Sequence, residues 1–125
     1  MGQYLPRPAS VFSYYPPSQP LPDGSGLLGP EFAITSSATT MDRANFLNAI
    51  LFGTVSGTTL DFSVLPDDPA QMLQWVDDNI LHDTMSAAMK SIILDAITNA
   101  SVPAAKRKPL ALYLAMSSSD YQTER

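Results

Sequence analysis

The rhythm of apolar and polar residues along this chain changes near residue 38. Beyond that point apolar residues recur at helical spacing, whereas before it they are scattered among prolines. In the first helical stretch Phe46, Leu47, Ile50 and Leu51 return at i, i+1, i+4 and i+5. Thr39 or Thr40 is the expected cap, and Gly53 is placed to end the helix. Residues 54–65 contain Gly57 and several β-branched residues, and they read as a loop with at most a short extended piece. Asp68-Pro69 is a strong helix start, a carboxylate N-cap followed by a proline whose missing N–H costs nothing at the first helical position. Met72, Leu73, Val76 and Ile80 form the predicted buried stripe, with Trp75 at its edge and Asp77 and Asp78 on the opposite, polar face. Asp83 or Thr84 is the expected cap of a third helix, with Met85, Ala88, Met89, Ile92, Ile93, Ala96 and Ile97 as its apolar positions. Pro103 opens the last helix, where Leu110, Tyr113 and Leu114 are expected to face the core. Pro109 fits only if that helix begins near Lys106, so that its ring falls in or next to the first turn. Four helices joined by short loops predict an all-α fold, a small four-helix bundle over residues 38–125.

Residues 1–37 have a different character. Seven of the 11 prolines lie in the first 30 residues, which excludes a regular helix or a central strand there. Pro22-Asp23-Gly24-Ser25-Gly26 reads as a turn. Tyr4, Leu5, Val11, Phe12, Tyr14, Tyr15, Leu21, Leu27, Leu28 and Phe32 are interleaved with the prolines, unlike a Gly/Ser linker. An extended Pro-rich arm packing its aromatic rings on the helical body is the preferred reading. The rival reading takes Tyr14-Tyr15-Pro16-Pro17 as a polyproline ligand, on a dipeptide pattern too common to be specific.

Composition narrows the chemistry. Hydrophobic residues make up 45% of the chain and the formal charge is −5, so neither wholesale disorder nor a nucleic-acid footprint is expected. With no cysteine, disulfides and thiolate chemistry are excluded, and one histidine, His82, leaves no pair for a two-His metal site. No membrane span is expected, because no apolar run approaches the length required. Residues 1–8 lack the apolar core of a signal peptide, and Pro6 stands where an acylation pattern has Ser or Thr.

Asp67-Asp68, Asp77-Asp78 and Asp83 raise the question of paired catalytic carboxylates or calcium, but the calcium-loop pattern is absent and helix capping with a solvated face accounts for them. His82 beside Asp83 is better explained by a helix C-terminus than by a general base and its orienter, since adjacent side chains rarely adopt that geometry. Gly24-Ser25-Gly26 has neither the strand before it nor the helix after it that a nucleophile elbow requires. Lys106-Arg107-Lys108 is the only basic cluster, expected to pair with acidic residues or to face solvent. Trp75, Met72, Met85 and Met89 fit a core, or alternatively an adaptable peptide-binding groove. No phosphate loop is present, and no cofactor is expected.

Several phrases carry a family resemblance. They are Met1-Gly2-Gln3, Arg7-Pro8-Ala9-Ser10-Val11-Phe12, Tyr15-Pro16-Pro17, Leu27-Leu28-Gly29-Pro30-Glu31-Phe32 and Arg43-Ala44-Asn45-Phe46, then Met85-Ser86-Ala87-Ala88, Ala111-Leu112-Tyr113-Leu114 and Ser119-Asp120-Tyr121-Gln122-Thr123-Glu124-Arg125. In this order the chain resembles the C-terminal region of the bacterial family known as domain of unknown function eighteen-hundred. The resemblance implies the last part of a longer, mostly helical protein that carries an export signal at its start. It also implies no reaction, because that family has no established activity and no catalytic residues to carry over. Two departures, Ser117-Ser118-Ser119 in place of the family's Ser-Pro and Pro109 inside a helix that the family tends to continue, bear on the course of the last helix.

These readings predict a structural or interaction module, exported to the periplasm or the extracellular space if the parent resembles the family and cytoplasmic otherwise. Its expected partner is the upstream part of the same protein. Without that part, the arm's aromatic residues predict a homodimer or a partly mobile arm. The alternative is a segment that contributes to the active site of an enzyme completed upstream, with Glu31, Arg43 and Asn45 as candidate residues. Their structural explanation is a Glu31 to Arg43 ion pair, with Asn45 capping the arm's backbone.

Overall fold

The computed structural model describes residues 16–21, 24–34, 36–53, 55–99 and 101–122. The expectations for Tyr4 to Tyr15, for Pro22-Asp23 and for the final Thr123-Glu124-Arg125 lie outside those residues. The fold is all-α: Ser37–Leu51 (α1), Pro69–Val76 (α2), Ala87–Thr98 (α3), Ala104–Met116 (α4) and the single turn Ser119–Gln122 (α5). A 3-10 helix, Pro30–Ile34, precedes α1, and a π turn, Asp77–Leu81, continues α2. Among the described residues there is no strand, only an isolated bridge between Pro20 and Leu28. The chain divides into two compact units, Met1–Phe46 and Leu47–Arg125, and the division falls inside α1.

In the first unit, Gln19 N–H donates to the Pro16 carbonyl at 3.1 Å, so Pro16 and Pro17 sit in a closed turn. Residues 19–21 then pair with residues 27–29: Leu21 N–H donates to Leu27 C=O, and Gly29 N–H to Gln19 C=O, each at 2.8 Å. Gly24 and Gly26 supply the positive φ that this reversal needs. Gly29 is in close contact instead: a Cβ there would lie 2.5 Å from Leu21 Cδ2 and 2.9 Å from Phe32 Cδ2, so both side chains would have to shift. The cap of α1 is Ser36, not Thr39 or Thr40. Ser36 Oγ accepts from Thr39 N–H and Thr39 Oγ1 accepts from Ser36 N–H, a reciprocal arrangement that satisfies two otherwise orphaned donors.

In the second unit, α2, α3 and α4 pack against one another pairwise, and the last turns of α1 add Leu47 and Leu51 to their core. Met72, Leu73 and Val76 are buried as their spacing requires. The core is completed by Leu65, Leu81, Met85, Ile93, Ile97, Ala111, Leu112 and Ala115. Phe52 meets Tyr113 edge to face, with ring centroids 6.4 Å apart, a favoured geometry for aromatic quadrupoles. Asp68 caps α2 as expected, its Oδ1 accepting from Gln71 N–H at 2.9 Å.

Four further expectations are corrected. Leu81 rather than Ile80 is the next buried apolar residue after Val76, because the π turn closes i→i+5 and shifts the buried stripe by one position. The cap of α3 is Ser86, not Asp83 or Thr84; Met85 is buried but precedes the helix. On α3 the stripe is Ile93 and Ile97 with Met89 beside it, while Ile92 stands 66% exposed and Ala88 faces solvent. Helix α4 begins at Ala104, so Pro109 lies inside it and is buried. That proline removes the N–H that would bond to the Ala105 carbonyl, a defect in the helix ladder. The innermost α4 residues are Ala111, Leu112 and Ala115, with Leu110, Tyr113 and Leu114 packed at the edge of the core.

Candidate functional site

Of the three sequence candidates, Glu31 lies in the 3-10 helix, and its side chain lies outside the described part of the structure. Arg43 is half-buried on α1, and Asn45 is exposed on the same helix. Residues two apart on an α-helix point to different sides, so α1 does not bring Arg43 and Asn45 together. His82 and Asp83 are both exposed at the end of the π turn. Among the described residues, no three His, Asp or Glu side chains converge as metal ligands. No described helix is long and apolar enough to cross a membrane.

The polar feature that the structure does build is centred on Asp77, which is 1% exposed. The expectation that it lies on the solvated face is overturned, while Asp78 is exposed as expected and accepts from Gln74 Nε2. Asp77 sits four residues after buried Leu73, and that spacing turns it inward. Its Oδ1 accepts from Met85 N–H at 3.0 Å, and its Oδ2 pairs with Lys90 Nζ at 2.6 Å. Its backbone carbonyl accepts from the N–H groups of both His82 and Asp83. One residue therefore anchors the whole connection from the π turn to α3.

That anchoring has a backbone cost to offset. His82 and Asp83 have φ of 52° and 61°, a left-handed conformation that residues with a Cβ adopt at a penalty of about 1–2 kcal/mol each. His and Asp tolerate it better than most. The bonds to Asp77, with Thr84 Oγ1 donating to the Leu81 carbonyl, hold the reversal in place. The ammonium of Lys90 is held protonated above its ordinary range, chiefly by its hydrogen bond to Asp77. On the loop before α2, Ser63 donates through N–H and Oγ to the two oxygens of Asp61, which pulls that carboxyl below its ordinary value.

A second polar cluster occupies the first turns of α4. Lys108 Nζ pairs with Asp67 Oδ1 at 2.8 Å, as the basic cluster was expected to pair with acidic residues. Arg107 Nε is buried with no hydrogen-bond partner among the described residues. Lys106 borders a depression of about 360 Å³ between the loop after α1 and α4. The methionines take the core reading rather than the groove reading: Met72 and Met85 are buried, and half-buried Trp75 packs against the same core. No family model, no curated protein and no solved structure matches this chain.

Proposed function

We propose that the helical region is a structural and interaction module, the C-terminal domain of a longer exported bacterial protein of the family known as domain of unknown function eighteen-hundred. The observation that carries the modular part of this reading is how Asp77 is used. The only buried charged residue among those described devotes one oxygen to a backbone amide and the other to a lysine, and so fixes a turn. A buried carboxylate with both oxygens engaged in this way specifies a single packing of two helices. The assignment to a longer exported parent is supported by the phrases from Met1-Gly2-Gln3 to Thr123-Glu124-Arg125 alone. The genomic sequence upstream of Met1 tests it. An uninterrupted reading frame with helical sequence and an export signal is the expected result; a stop codon and a promoter directly ahead of Met1 would overturn it.

A further inference from the structure

The depression beside α4 differs in chemistry from the rest of this acidic chain. Its apolar lining includes Ile50, Phe52, Phe62 and Pro109. Its polar lining comes from Thr58, Thr59 and Lys106. Lys106 is exposed and makes no ion pair among the described residues, whereas its neighbour Lys108 is neutralised by Asp67. The N-cap of α4, Pro103, has no side-chain acceptor to offer the first N–H groups of the helix, so the positive end of the helix dipole adds to the Lys106 charge. Apolar side chains lining the depression together with one cation and two hydroxyls match a ligand that has an apolar body and a single negative head.

We propose that this depression binds small amphipathic monocarboxylates. The alkyl or aryl body lies against Phe52, Phe62 and Pro109, and the carboxylate takes a charge-assisted hydrogen bond from the Lys106 ammonium. The volume, about 360 Å³, is at the small end of ligand sites, which suits a chain of medium length rather than a long lipid. Neutral and cationic molecules of the same length lack the head that Lys106 selects.

The test is a titration of the isotope-labelled full chain with sodium octanoate, followed by amide chemical shifts, with octanol and octylamine as matched controls. Saturable octanoate shifts clustered at Thr58, Thr59, Leu60, Phe62 and Lys106, with weaker binding of both controls, are expected. Lys106→Gln should weaken octanoate binding about three- to fivefold, the loss of one exposed charge contact, whereas Lys108→Gln should change it less than about twofold. Thr59→Glu, which sets a like charge at the rim, should abolish binding while leaving the fold intact by circular dichroism. Equal binding of octanol and octanoate, an unchanged affinity in Lys106→Gln, shifts scattered over the surface, or no saturation would each overturn the proposal.

Discussion

Two aspartate–lysine pairs of nearly equal length lie in opposite surroundings. Asp77 and Lys90 meet at 2.6 Å with the carboxylate 2% exposed, while Asp67 and Lys108 meet at 2.8 Å with the carboxylate 96% exposed. By distance alone they would count as equivalent. Their environments make them different objects. At the second pair the carboxylate is fully hydrated although the Lys108 side chain is only 20% exposed, so the attraction is screened at the carboxylate end. The buried carboxylate has given up its water and depends on its two partners, so removing either leaves a charge or a donor unsatisfied. Interaction length says little about energetic weight here; burial decides it.

The comparison breaks most sharply at Asp77. Asp77→Ala leaves the buried Met85 amide without its acceptor, while the 39% exposed Lys90 side chain regains water, and should lower the unfolding free energy by about 1–3 kcal/mol, read from urea denaturation. A core truncation gives the scale: Ile97→Ala, at a fully buried position, should cost about 2–5 kcal/mol in the same assay, whereas Ile92→Ala should fall within about 0.5 kcal/mol of the parent. At the exposed pair, Asp67→Asn should cost no more than about 1 kcal/mol, and added salt should erase the difference.

The pH dependence sharpens the contrast from the lysine side. The folded-state value of Lys90 is raised above 10.5, so its stabilising contribution is fully present below 10.5 and is lost as pH rises through the raised value. Urea midpoints should therefore fall on the alkaline side of 10.5, and Lys90→Gln should flatten that fall. Asp61 runs the other way. Its folded-state value lies below 3.8, so its contribution is present above 3.8 and fades as pH drops through the lowered value. Asp61 is exposed, so Ser63→Ala should produce only a slight change in the acid limb.

Much of the fold was legible because local chemistry and tertiary packing agreed. Asp68-Pro69 announced α2 with a capping carboxylate and a proline that the first turn tolerates, and Met72, Leu73 and Val76 followed with the right period. Legibility failed where the backbone left that period. The π turn has no sequence signal of its own, so counting by four from Val76 reached Ile80 while the core received Leu81. The left-handed pair His82-Asp83 contains no glycine, so its reversal was hidden and the start of α3 moved to Ser86. A signal for Asp77 did exist. It stands at i+4 from Leu73, a phase that places it at the edge of the apolar stripe rather than opposite it. The candidates Arg43 and Asn45 came from phrases of sequence rather than from a helical phase, and their spacing separates them on α1.

The central claim is that the Asp77 carboxylate locks the corner between α2 and α3, and the Met85 amide reports on that lock directly. Native-state hydrogen exchange should show Met85 N–H protected to nearly the same degree as the buried amides of α3, and Asp77→Asn should reduce that protection far more than it reduces protection in α4. A Met85 amide that exchanges in the parent chain at the rate of an unstructured peptide would contradict the account.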